Sequence, residues 1–241
     1  KLPLFWDLSL NIKGYSEDLL EFYSHVLRSH NISTSQLFQD LFVLFIHNEK
    51  TNGTFLEFGA TNGVELSNSF MLEQKFGWTG VLAEPSPQWH SKLFENRPNT
   101  TILTDCIYSE TGKKLDFFVS EQGVLSTLEE FKNSDIASMP GNTKSRNASG
   151  YNCQVDTISL NDVISKYFYG TKIDYMSVDT EGSELLILKH FDFSKYAPKV
   201  VTVEHNFTDS EKELDELFAK HNYCRFFKEF TQFDAWYVLQ E

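Results

Sequence analysis

Carboxylates recur in this chain where a short apolar run stops and a turn begins. The first set is Glu57-Phe-Gly59-Ala60-Thr-Asn62-Gly63, which closes the run Thr54–Phe58. The second is Glu84, closing Gly80–Ala83, and the third is Asp105, closing Thr100–Thr104. Two more follow in the second half: Asp179-Thr-Glu181-Gly-Ser-Glu184 after Ile173–Val178, and Glu204-His205-Asn206 after Val200–Val203. In an open parallel sheet, ligands bind outside the carboxyl ends of the strands, near the point where strand order reverses. Gly59 and Gly63 would let a ligand approach the backbone. Their G-x-x-x-G spacing is not the G-x-G-x-x-G of a dinucleotide fold. An acid at the position of Glu84 can accept hydrogen bonds from both hydroxyls of a ribose, and Asp105 can meet an adenine amino group. Together they predict a nucleoside site. Asp179 and Glu204 are expected to converge on one point. With Asn206 or His205 they offer hard oxygen ligands to an ion such as Mg2+, and without metal Glu204 or His205 is the candidate general base. Glu181 is left open between site and scaffold. Glu184 is expected to serve its helix dipole.

The elements that must position these residues alternate. Helices are predicted at Glu17–Arg28, Gln36–His47, Val64–Phe76, Ser86–Asn96, Leu160–Phe168, Gly182–Phe191 and Ser210–His221, with the strands named above between them. Such alternation predicts an α/β fold with a parallel sheet. Tyr223–Phe230 and Phe233–Leu239 follow each other too closely for a crossover and are expected to pair as an antiparallel hairpin. Lys114–Val119 reads as an extra strand. Ser120–Gly150 is polar and aperiodic, and is expected to be a loop or lid on the acceptor side of the site.

Composition excludes several classes. The 241 residues carry a formal charge of −13, which disfavours nucleic acid and anionic membrane surfaces as partners. No apolar run is long enough to span a bilayer. The three cysteines, Cys106, Cys153 and Cys224, lack metal-ligand spacing and are expected to be reduced thiols, as in a cytoplasmic protein. The chain opens on Lys1 rather than Met, and the reading allows for a leader or anchor removed upstream.

The ordered motifs resemble the FkbM family of S-adenosylmethionine-dependent methyltransferases. They are Ser35-Gln36-Leu-Phe-Gln39-Asp40, Phe55–Gly63, Leu66-Ser67-Asn68-Ser69, Gly77–Pro85, Asp105–Gly112, Val155–Asp162, Val178–Glu184 and Val203–Asn206. The resemblance implies a Rossmann-like class I methyltransferase fold, a mostly parallel seven-stranded sheet with a C-terminal antiparallel hairpin. It implies that residues 1–50 are an N-terminal helical extension packing on a methyltransferase domain, 51–241. By the same resemblance, Glu57, Gly59, Ala60, Asn62 and Gly63 line the methionine part of the cofactor. Glu84 holds the ribose, Asp105 and Cys106 flank the adenine, and Gln36 and Asp40 reach over the site. Asp179 and Glu204 face the transferred methyl and the acceptor, a hydroxyl on a sugar or other small molecule. Two rival readings remain. A nicotinamide-dependent oxidoreductase would use Glu84 equally well but lacks the third glycine. A non-catalytic binding module would have no need of acids at five strand ends.

Overall fold

The computed structural model describes residues 16–240. The expected 1–50 extension therefore lies outside the described residues over 1–15.

Two helices open the described chain, α1 (Glu17–Ser29) and α2 (Gln39–Ile46), followed by β1 (Thr54–Phe58), α3 (Phe70–Phe76), β2 (Thr79–Ala83), α4 (Pro87–Asn96) and β3 (Thr101–Leu103). The middle of the chain holds β4 (Cys106–Tyr108), β5 (Lys114–Ser120), β6 (Thr127–Leu128), α5 (Pro140–Ala148) and β7 (Gly150–Ser159). The last part runs α6 (Leu160–Tyr167), β8 (Tyr175–Val178), α7 (Glu184–Lys189), β9 (Val200–Glu204), α8 (Ser210–Lys220), β10 (Tyr223–Phe226) and β11 (Asp234–Leu239).

The main sheet has seven strands in the order β10-β11-β9-β8-β1-β2-β3. All neighbours are parallel except β11, which runs antiparallel to both β9 and β10. The chain builds outward from β1 through β2 to β3, then restarts on the other side with β8. The β1–β8 boundary is thus the switch point at which α/β sheets bind ligands.

Side-chain alternation along the strands sorts two cores. Leu56, Phe58, Met176, Val178, Val201 and Val203 face α6, α7 and α8. Phe55, Leu82, Tyr175, Val200 and Trp236 face α1, α2, α3 and α4. The N-terminal helices belong to that second layer. Phe42 of α2 stacks on Trp236 with ring centroids 4.6 Å apart, and Phe22 of α1 stacks on Phe227 at 5.1 Å. Such aromatic pairs add about 0.5–1.5 kcal/mol beyond area burial. No helix among the described residues is long and apolar enough to cross a membrane.

Several expected elements differ in extent, among them the strand expected to reach Phe230, which ends at Phe226. The helix expected from Val64 begins at Phe70. Its first N–H groups are spent on side chains instead. Asn62 Oδ1 accepts from the amides of Val64 and Glu65, both at 2.9 Å, and Glu57 Oε1 accepts from Asn68 at 2.7 Å. The helix expected from Gln36 begins at Gln39, after Phe38 in a left-handed conformation with φ 70°. The irregular stretch 120–150 carries β6 and α5, and β5, β6, β7 and β4 form a second, four-stranded sheet.

Candidate active site

Pair register brings the expected acids to one edge. Phe58 pairs laterally with Ala83 and with Val178, and Val178 pairs with Val203. The next residue on each strand is Gly59, Glu84, Asp179 and Glu204. Neighbouring strands stand about 4.8 Å apart, so these four positions form a row at the carboxyl edge. The row opens into a cavity of about 390 Å³, within the range of small-molecule sites. Gln36, Glu57, Gly59, Ala60, Glu84, Cys106, Asp179, Glu204 and Asn206 all line it.

The left side of the cavity is built on two anchored carboxylates. Glu57, two residues after Phe55, shares its face of β1 and so points toward α3, where it accepts from Asn68 N, from Ser67 Oγ at 3.0 Å and from Ser69 Oγ. It organises the loop before α3 that walls the cavity. Glu84 accepts from Thr61 N and Ser86 N, both at 2.8 Å. Burial outweighs those two bonds and pushes its carboxyl up to about 7. Each carboxylate oxygen has a further lone pair, and Glu84 lines the cavity. Cys106, Phe117 and Leu128 from the second sheet close this end with apolar surface. Burial and the neighbouring Glu84 raise the Cys106 thiol to about 12, so it stays protonated and inert.

The right side is acidic. Ligand-capable oxygens of Asp179, Glu181 and Glu204 lie within 4.8 Å of one another. Desolvation, then repulsion from neighbouring carboxylates (Glu181 first at Asp179, Asp179 first at Glu204), raises both well above the ordinary carboxylate range, although a side-chain hydrogen bond with Glu204 opposes the rise at Asp179. Burial lifts Glu181 to about 7 against the pull of Arg146, whose Nη2 donates to Glu181 Oε2 at 2.6 Å. Glu204 Oε2 is buried with no hydrogen-bond partner. Asp234, opposite Glu204 in the β9–β11 pairing, accepts from Gln39 Nε2 at 2.6 Å and is raised to about 6 by burial. Glu184, expected to serve its helix dipole, accepts instead from the amides of the preceding turn, Thr180 at 2.8 Å and Gly182 at 3.0 Å.

Five expected site residues lie off the cavity wall. Asp40 is fully buried and accepts from Ser33 Oγ, Thr34 N and Ser35 N. It shapes the turn that carries Gln36 rather than reaching over the cavity itself. Asn62 caps the loop at Val64 and Glu65. Gly63, at φ 77°, packs beside Leu93 and Arg97, where an added Cβ would come within 2.7 Å of both. Asp105 is outside the lining, though its neighbour Cys106 is inside. His205 turns away. Its Nδ1 accepts from Phe207 N at 3.0 Å, its Nε2 lies 3.4 Å from an Arg225 nitrogen, and it lines a separate cavity of about 300 Å³ behind Glu204. Burial lowers its pKa.

Arg146, Arg97 and Asp234 are site supports that motif reading did not single out. Arg97, fully buried, donates to Gly63 O at 2.9 Å and Ser69 Oγ at 3.1 Å, and pairs with Glu73. A basic residue in a polar stretch gives no sequence signal of its partners.

Residues 57–236 match the family model described as the methyltransferase FkbM domain. The chain belongs to the FkbM methyltransferase family. The seven-stranded sheet with its antiparallel β11 is accordingly the Rossmann-like class I methyltransferase fold. Among solved structures, this FkbM chain is similar to methyltransferase FkbM from Methylobacillus flagellatus KT, at 11% identity and TM-score 0.46, over 89% of this chain and 60% of that one. It is similar to precorrin-6y C5,15-methyltransferase from Geobacter metallireducens GS-15, at 10% identity and TM-score 0.46, over 84% and 87% of the two chains. It is also similar to a putative caffeoyl-CoA O-methyltransferase from Staphylococcus aureus, at 10% identity and TM-score 0.44 over the full length of both. No curated protein matches the sequence of this FkbM chain.

Proposed function

We propose that the protein is an S-adenosylmethionine-dependent O-methyltransferase acting on a hydroxyl of a sugar or other small molecule. The observation that carries the donor is Glu84. Its carboxylate is fixed by two backbone amides at a strand end and still lines the cavity. A vicinal ribose diol has the two O–H donors that such a group accepts. Cys106, Phe117 and Leu128 offer the adenine an apolar slot. Glu57, Gly59, Ala60 and Gln36 lie toward the methionine end. When bound, the cofactor supplies a methyl already activated on a sulfonium, and the acids nearby favour that positive charge.

What remains for the chain is to align an oxygen and remove its proton. Alignment can be worth several orders of magnitude in rate. A sugar hydroxyl ionises far above neutrality, so its proton must pass to a base or the oxygen must meet a metal ion. Asp179 and Glu204 are the groups nearest that task, as a carboxylate base or as ligands of Mg2+. The acidic wall, filled out by Asn206, suits a neutral polyhydroxylated acceptor and repels an anionic one. Residues 120–150 supply Gly123, Val124, Leu125, Ser126, Met139 and Asn142 to the lining, which supports their reading as the acceptor-side wall of the 51–241 transferase domain.

The test is calorimetric titration with S-adenosylhomocysteine and, separately, NAD. Micromolar or tighter binding of the first alone is the expected result. Binding of NAD alone would make the protein an oxidoreductase, and binding of neither would leave a non-catalytic module. Transfer of a labelled methyl from S-adenosylmethionine to a pool of neutral glycans then reads the acceptor class.

A further inference from the structure

Three observations meet at the turn between β8 and α7. The first is the trio itself, Asp179, Glu181 and Glu204, with oxygens within 4.8 Å of one another. Oxygens on opposite sides of a Mg2+ ion stand about 4.2 Å apart. At most one pair of the three can be opposite and adjacent oxygens stand about 3.0 Å apart, so side-chain shifts of up to about 1 Å would close the trio on such an ion. The second is Glu204 Oε2, which has no hydrogen-bond partner on a residue only 9% exposed and lining the cavity. A buried carboxylate oxygen left unpaired costs free energy unless a cation or a proton meets it.

The third is Arg146. It is fully buried on α5, yet it acts at the trio. Its guanidinium donates to Glu181 Oε2 at 2.6 Å, to Asp135 Oδ1 at 2.7 Å, and to the carbonyls of Leu125 and Lys132 at 2.9 and 3.0 Å. Two further contacts fasten the same turn to the same segment. Thr127 Oγ1 donates to Glu181 O at 2.9 Å. Gly182 sits so close to it that an added Cβ would lie 2.6 Å from Ser134 Oγ. Glu181 is thereby held with one oxygen on Arg146 and the other free. The three carboxylates of the trio and Asp135 share the one guanidinium, so the ionised cluster carries a charge of −3, which one divalent ion reduces to −1.

We propose that Asp179, Glu181 and Glu204 form a divalent-cation site with Arg146 as its positioning residue, so that the ion ties the strand ends to the segment walling the cavity. The ion's use, to bind the acceptor hydroxyl, rests on the O-methyltransferase reading. Its presence is measurable without an acceptor.

The probe is Mn2+, titrated into the full chain and followed by electron paramagnetic resonance, with Mg2+ as competitor. One Mn2+ per chain, displaced by Mg2+, is expected. Glu204→Gln and Asp179→Asn should each weaken it at least tenfold. Arg146→Met separates positioning from charge. Removing a nearby positive charge would by itself tighten Mn2+, whereas loss of the hold on Glu181 should weaken it several-fold, with Arg146→Lys between the two. Should Arg146→Met fail to fold, Glu181→Gln leaves Arg146 on Asp135 and must weaken Mn2+ at least tenfold. No Mn2+ on the wild type, or binding indifferent to Glu204→Gln and Asp179→Asn, overturns the site. Tighter binding in Arg146→Met overturns the positioning role. Calorimetry with S-adenosylhomocysteine keeps the two readings apart. Mn2+ without nucleoside binding retains the ion and rejects the methyltransferase reading, and the reverse pattern rejects the ion alone.

Discussion

Gln39 Nε2 donates to Asp234 Oδ2 at 2.6 Å, joining the first residue of α2 to the first residue of β11. Asp234 stands opposite Glu204 in the sheet. The bond therefore couples the N-terminal helices to the acidic end of the cavity. Gln39→Ala would leave a buried carboxylate short of a donor, at a cost of about 1–3 kcal/mol. It would also remove a bond that holds the Asp234 carboxyl down, so that its titration moves up from about 6. Urea unfolding and carbon-detected resonance of the Asp234 carboxyl check the two parts.

Glu84→Ala should weaken S-adenosylhomocysteine by roughly 2–3 kcal/mol, about 30- to 150-fold, as expected for two charge-assisted bonds. Calorimetry on a folded variant reads this directly. Unchanged affinity would remove Glu84 from the ribose.

The same side chain gives a pH signature. The Glu84 carboxyl titrates at about 7 in the fold against an ordinary 4.5. Between those values the folded protein holds a proton that the unfolded chain has released. Stability from this group is thus highest below pH 4.5 and falls as pH rises toward 7. Glu84→Gln carries no such proton. The stability of wild type relative to this variant should fall by roughly 3 kcal/mol between pH 4.5 and 7.5. Urea midpoints at several pH values measure the difference, and a flat difference would reject the raised carboxyl.

Arg97→Met should cost about 3–5 kcal/mol, because it strands Glu73 and the Gly63 carbonyl in a buried site. It should also loosen the Gly63 turn. Denaturant unfolding gives the first effect, and faster amide exchange at residues 61–68 gives the second.

Two glycines with positive φ should respond very differently to alanine. At Gly59, φ is 71° and an added Cβ would lie 2.0 Å from the Asp179 carbonyl oxygen, so Gly59→Ala should abolish folding. At Gly112, φ is 83° with nothing within 4 Å, so Gly112→Ala should cost only the left-handed strain of about 1–2 kcal/mol. Thermal melts of the pair test whether strand approach, rather than backbone conformation, is what fixes Gly59.

The strands and their acids were legible because parallel strands buried on both faces read as short apolar runs, and each run here carries an acidic residue at or beside its end. The helix start at Phe70 was not. Residues 64–69 hold no Gly or Pro to stop a helix, but Glu57 and Asn62 capture amides there, a contact visible only once β1 is placed beside the loop. The stretch 120–150 was read by its polarity as irregular. Three of its polar residues are interior: Arg146 and Thr143 both donate to the buried Asp135. Glu181 shows the same limit. Its spacing fits a helix dipole as well as a site, and only Arg146, 35 residues earlier, distinguishes them.

The cavity wall has a simple ancestry along the chain. Glu57, Gly59, Ala60, Glu84 and Cys106 come from the first half, and Asp179, Glu181, Glu204 and the 123–142 wall from the second. The halves meet where Gly59 abuts the Asp179 carbonyl. Any shift of the β8 end would therefore press directly on the Gly59 turn, so neither side of the cavity can be displaced without the other.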